Sequence, residues 1–166
     1  MEYVGQQNIK KLCNFYVSDL HLSVMLLPYI SRQVNEDVEV TTIFEKLEKE
    51  KMETVLNKLN VRNKEEILNI NWLNSDKDTY EKIENALENS IEKSIQDNKK
   101  VTIIVGGNRE YIQENNLNIM RIVEDRHINS NIKLINCYDV EEVGNNMGSI
   151  IKEYDGILNT SGEINV

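Results

Sequence analysis

Gly106-Gly107-Asn108-Arg109 follows directly on the apolar run Val101–Val105. A glycine pair closing a strand is where α/β proteins bring backbone N–H groups onto a phosphate or a carboxylate. As chemistry, the tetrad is an anion site. The glycines let the backbone approach a ligand, Asn108 adds an amide, and Arg109 supplies a guanidinium that can hold a carboxylate through two parallel hydrogen bonds. As architecture, it is a strand-ending turn with Arg109 in solvent. A nucleotide-hydrolysing site does not fit. The Walker-type loop requires G-x-x-x-x-G-K-[ST], whereas the first strand runs into "VSDLHLSVML" with neither glycine nor lysine. Where such enzymes keep a magnesium-holding acid, after Val101–Val105, this chain has Gly-Gly-Asn. The G-x-G-x-x-G dinucleotide fingerprint is also missing.

Other strand ends bring further groups into play, because open parallel sheets bind ligands outside the carboxyl ends of their strands. These ends offer Ser18, Asp19 and His21; Asn71 and Trp72; and Tyr138 with Asp139. His21 falls in the first turn of the first expected helix and could meet a ligand there. It has no neighbouring nucleophile to form a triad, and a solvated or helix-packed imidazole is the plainer role. Trp72, the only tryptophan, is either an aromatic wall for a ligand or a core-rim anchor with its N–H satisfied. His127 lies near a helix end, where a basic group suits the dipole. Cys13 and Cys137 each lie in an apolar strand-like run, without C-x-x-C spacing or a nearby histidine, so buried reduced thiols are expected and no metal site. The candidate ligand-binding set is therefore Asp19, His21, Trp72, Gly107, Asn108 and Arg109. No catalytic residue, metal or cofactor is expected.

The elements that must position these groups alternate. "KLCNFYVS" reads as a strand, and "SDLHLSVMLLPYISRQV" as a helix N-capped by Ser18 or Asp19, with a kink expected at Pro28. "VEVTTIF" is a β-branched strand, followed by helical spacing of Leu47, Met52, Val55, Leu56 and Leu59 over "EKLEKEKMETVLNKLN". "EEILNINW" is a third short apolar run. After it comes a long helix with Tyr80, Ile83, Leu87, Ile91 and Ile95 on one face. "KVTIIVGG" is almost wholly apolar, as in a strand covered on both faces. A poorly patterned stretch containing "NREYIQENN" then precedes a helix from about Leu117 to Ile128, the strand "IKLINCY", a helix over "DVEEVGNNMGSIIKEY" and a last strand, "GILNT". Strand–helix alternation of this kind predicts a three-layer α/β/α fold with a mostly parallel central sheet, since parallel strands need crossovers.

Bulk properties narrow the function. The 166 residues suit one domain with a full core, spanning 1–166. With 28 acidic against 19 basic residues, the net charge of −9 opposes direct binding of nucleic acid. The N-terminus has no signal-peptide h-region and no apolar run is long enough for a bilayer, so no membrane association and a cytoplasmic location are expected.

In its segments "CNFYVSDLHLSVMLLPYI", "ILNINWL", "VTIIVGGNREYI" and "IKLINCYDVEEVGNNMGSIIKEYDGIL", the chain resembles the MEDS (methanogen/methylotroph, DcmR sensory) domains. The resemblance covers roughly residues 9–160, with short flexible termini outside it. It rests on Cys13, Phe15 and Tyr16 in the first strand, Pro28 and Tyr29 in the first helix, Trp72, Gly106 and the Cys137–Asp139 strand ending. Lys11 and Asn14 stand where histidines are frequent in that family. The resemblance implies a RecA-like core that has lost its nucleotide machinery, leaving "VSDLHL" as the remnant of the phosphate loop. It also implies a sensory or regulatory role. With no effector part following, output would pass to a separate protein partner of a signalling or transcription pathway.

The expected function is thus a non-catalytic sensory or regulatory domain that binds a small molecule in the strand-end crevice. The alternative is a ligand-free adaptor or inhibitor acting on a signalling kinase or transcription regulator. The apolar face of the long helix from Tyr80 to Ile95 would suit either sheet packing or a dimer seam.

Overall fold

A computed structural model describes residues 9–126 and 131–165. His127 and the expected helix end at Ile128 lie outside the described residues. The chain forms β1 (Lys10–Tyr16), α1 (Asp19–Asn35), β2 (Glu39–Phe44), α2 (Lys49–Leu56), α3 (Lys64–Leu68), β3 (Asn71–Asn74), α4 (Tyr80–Gln96), β4 (Val101–Gly107), α5 (Arg109–Asp125) and β5 (Ile132–Asp139). A short α6 (Val140–Val143), a 3-10 turn (Gly144–Asn146), α7 (Met147–Ile151), β6 (Gly156–Asn159) and β7 (Gly162–Asn165) follow. The strands make one sheet in the order β3-β2-β4-β5-β1-β6-β7, parallel throughout except for β7, which runs antiparallel to β6.

Each face of this sheet carries its own core, because successive strand residues point to opposite sides. Ile103, Val105, Leu134 and Tyr138 pack under α4, α5 and α7. Val40, Ile104, Ile135 and Cys137 pack under α1, α2 and α3. Helices therefore cover both sides, and the architecture is the expected three-layer α/β/α. Strand β4 is interior, with β2 and β5 as neighbours, and its residues Val101–Gly106 are all buried. The two cysteines are free and buried, with Cys13 in one core and Cys137 in the other. The sheet itself separates their side chains. Burial raises the Cys13 thiol to about 11, so it stays protonated.

Several boundaries differ from the periodicity. Helix α5 begins at Arg109, not near Leu117. Its buried positions are Ile112, Ile119, Ile122 and Val123. The gap between the first two is bridged by a polar contact, since Asn116 pairs with the buried Asn136 of β5, and apolar periodicity cannot register an amide pair. "EEILNINW" divides into α3 and β3. The helix expected over residues 45–60 is confined to Lys49–Leu56. The single helix expected over 139–154 breaks at Gly144, whose φ of +50° lies in the left-handed region that glycine adopts without strain. Helix α1 runs through Pro28 to Asn35. The α4 stripe is buried only at Ile83, Leu87 and Ile91, while Tyr80 and Ile95 at its two ends are exposed.

Strand β7 is marked by no apolar alternation in the sequence. It is pinned by one side chain: Glu163 accepts hydrogen bonds from Lys10 (2.9 Å), Tyr29 Oη (3.0 Å) and Lys133. Burial alone would push the Glu163 carboxyl up, but the hydrogen bonds from Lys133 and Lys10 outweigh it and hold the group down at about 2.

Candidate functional site in the strand-end crevice

Strands β1 and β2 lead into helices on one face, and β4 and β5 into helices on the other. The chain therefore departs in opposite directions from neighbouring strand ends, and a crevice is left between them. It holds a cavity of ≈ 190 Å³ lined by Tyr16, Asp19, Phe44, Glu45, Lys46, Gly107, Asn108, Asp139 and Glu142, among others. This is below the roughly 300–1,000 Å³ common for drug-sized ligands, so only a small molecule fits.

The Gly-Gly-Asn turn shapes its floor. A Cβ on Gly106 would lie 2.5 Å from the Phe44 ring, so any larger residue there would force the ring to move. Asn108 then performs two tasks. Its Oδ1 accepts the Tyr111 N–H at 2.7 Å, capping α5. Its own N–H and side-chain amide donate to the two carboxylate oxygens of Glu45 at 3.1 and 3.2 Å. The two Asn108 donors that the sequence offered to an external anion are thus engaged by the protein's own carboxylate.

Electrostatics point the same way. Asp19, Glu45, Asp139 and Glu142 face the cavity against a single lysine, Lys46, and a concave site lined by one sign of charge repels ligands of that sign. Phosphates and carboxylates are disfavoured, while small neutral or cationic molecules are not. The Tyr16 hydroxyl is pushed up by burial, then by Cys137, Asp139 and Asp19, and remains a neutral donor. Among the described residues, no group of three or more His, Cys, Asp or Glu side chains is arranged to hold a metal ion.

Of the six residues expected to line the crevice, Asp19, Gly107 and Asn108 do so. Three do not. His21 Nδ1 accepts the Val17 N–H at 3.0 Å while its own N–H donates to Ser18 Oγ at 3.1 Å, so the imidazole closes the turn that starts α1. Trp72 packs against the core beneath α1–α3 and its Nε1–H donates to the Ile67 carbonyl at 2.9 Å, which is the anchor role. Arg109 is exposed and lines a different cavity, beside Tyr138 and Tyr154. The residues that sequence reasoning missed are Tyr16, Glu45 and Glu142. Glu45 carries a signal in the sequence: it is the first residue beyond β2, at a strand end where ligands are met.

Among the described residues no helix is long and apolar enough to cross a membrane. In comparisons with known proteins, no family model matches the chain and no curated protein matches its sequence.

Proposed function

We propose that this domain is a non-catalytic sensory or regulatory module of the MEDS kind, which takes a small neutral or cationic molecule into the strand-end crevice and passes its occupancy to a separate protein. The observation that carries the reading is an adjacency at the β1–α1 junction. Asp19 lines the crevice, while Leu20 and Val24 are 63% and 41% exposed and lie four residues apart, on one face of α1. A ligand drawing on Asp19 acts on the same turn that presents Leu20. Two positions of that turn, differently favoured by the ligand, would convert occupancy into a change of surface. The same stripe supports the second reading, a ligand-free adaptor, because exposed apolar side chains grouped together mark interaction surfaces.

Native mass spectrometry of the protein isolated gently from its own cells tests both. The sensory reading expects a discrete small-molecule mass excess that is lost in Asp19→Lys. The adaptor reading expects a clean polypeptide mass, with a co-purifying protein that Leu20→Glu releases. A clean mass with no partner in either preparation rejects both. Millimolar ATP with magnesium should leave the melting temperature unchanged, since a ligand stabilises a fold only in proportion to its binding and the crevice repels phosphate. A saturable rise would overturn the proposed ligand class.

A further inference from the structure

The two edges of the sheet differ. At β3 the last residue is tied back by the chain itself: the Asn74 N–H donates to Asp78 at 2.9 Å, and the Asn74 carbonyl accepts the N–H groups of Lys77 and Asp78 at 3.0 and 2.8 Å. An edge closed in this way offers little to another strand. At β7 the outer side is open. The strand is joined to β6 by the two-residue loop Thr160-Ser161, with Asn159 opposite Gly162 and Ile157 opposite Ile164. The pair that closes such a loop is hydrogen-bonded and antiparallel pairs alternate, so Ile164 bonds to β6 while Glu163 and Asn165 do not. The Ile164 carbonyl oxygen shows the same direction, lying 2.6 Å from where a Cβ on Gly156 of β6 would stand. The backbone N–H and C=O groups of Glu163 and Asn165 therefore point away from the sheet, and among the described residues they meet no partner.

The side chains of this edge suit a strand of the same sequence. On the α1 side, the Glu163 charge is already matched by Lys10 and Lys133. On the other side, Ile164 is 48% exposed and ends an apolar row that runs in register through Cys13 of β1 and Ile157 of β6. A second β7 laid antiparallel about a two-fold axis at Ile164 continues that row, with the two Ile164 side chains meeting at the axis. Glu163 then stands opposite Asn165 of the second copy, and the two outward N–H groups of each copy reach outward carbonyls of the other. A register centred on Glu163 would oppose two carboxylates, which is unfavourable across strands. Such self-complementarity is what a two-fold interface requires.

We infer that the outer edge of β7 is a docking edge for a second copy of this chain, which pairs antiparallel through Glu163 and Asn165 and joins the two sheets into one. A four-residue strand buries less surface than a standard protein interface, so the dimer forms and dissociates with concentration. The edge is separate from the strand-end crevice, and the inference stands whatever the crevice binds.

Sedimentation velocity across a wide range of protein concentration, in about 0.15 M salt to screen the net charge, tests the pairing together with amide hydrogen exchange. The expected result is a reversible monomer–dimer equilibrium. Protection of the Glu163 and Asn165 amides should rise with concentration, whereas the Ile164 amide, bonded to β6, should be protected in monomer and dimer alike. Asn165→Pro removes an outward N–H without breaking the β6 ladder, and Ile164→Lys sets two like charges at the axis. Each should weaken dimerisation about tenfold or more and leave Ile164 or Lys at that position protected in the monomer. The inference is overturned if the protein stays monomeric throughout, or if a dimer forms that neither substitution weakens. It is equally overturned if the two outward amides are protected to the same degree at every concentration, or if a different polypeptide is found along this edge.

Discussion

Asn108 shows how much one side chain can settle. It caps α5 and clamps Glu45 with both of its donors, so it joins the end of β2 to the end of β4 across the crevice. Asn108→Ala removes the cap and leaves the Glu45 carboxylate without those donors, and should cost about 1–2 kcal/mol. The measurement is urea denaturation, where the midpoint should fall at unchanged slope. Asn108→Asp retains the cap acceptor but sets a carboxylate against Glu45; its deficit should shrink as the pH falls, since protonating either acid removes the repulsion. A pH-independent deficit would show that Glu45 and residue 108 do not interact in solution. Gly106→Ala probes the neighbouring constraint. Its Cβ would meet the Phe44 ring at 2.5 Å, and overpacking of that kind costs about 1–3 kcal/mol. The turn itself was legible from its residue types. Its partner was not, because Glu45 lies more than sixty residues away in sequence and only the β2–β4 pairing brings the two together.

At the scale of elements, β7 is tied beyond its ladder to β6 by a single carboxylate, Glu163, and that part of its attachment should depend on pH. The folded-state value of Glu163 is depressed from the usual 4.5 to about 2. Its contribution is therefore fully present above pH ~4.5 and is lost progressively as the pH falls through the folded value. Hydrogen exchange should show the ladder-bonded amides of β7 losing protection on acidification before those of β4. In Glu163→Gln the low protection should be present already at neutral pH and should not change across that window. Equal protection in wild type and variant at neutral pH would mean that β7 is held by its ladder to β6 alone. The same segment explains a sequence-level omission. "GEIN" is short, exposed along most of its length and carries no apolar alternation, so nothing in its pattern marks a strand. Helix α5 is the complementary case: its first turns were missed because its inward face carries Asn116 at the point where an apolar residue would have shown the period.

For the whole molecule, charge is the governing quantity. A net charge of −9 acts against compaction, while surface ion pairs such as Lys82–Asp78 are each worth about 1 kcal/mol or less. Raising ionic strength from ~0.01 M to ~0.15 M shortens the screening length from ~30 Å to ~8 Å, which relieves long-range repulsion more than it weakens contacts at hydrogen-bond distance. The melting temperature should therefore rise with added sodium chloride. A fall would show that the ion pairs outweigh the net repulsion. The charge also has a local expression: the carboxylates gathered at the strand ends give a crevice of nucleotide-site position the opposite electrostatic preference.

By itself the sequence determined the layers. Apolar runs of strand length alternating with amphipathic helices can bury their faces only as a parallel sheet covered on both sides, and the missing phosphate-loop residues were readable without coordinates because those motifs are contiguous. Tertiary structure alone decided which strand-end residues share a cavity. His21 turned back on its own helix start, Trp72 went to the edge-strand core, Arg109 crossed to the opposite face, and Glu45 filled the turn that the sequence had left open for a ligand. The reason is physical. Periodicity reports which face of an element is buried, but the direction of a polar side chain at an element's end is set by the hydrogen-bond partner it finds, and for these residues the partner depends on the packing around each end.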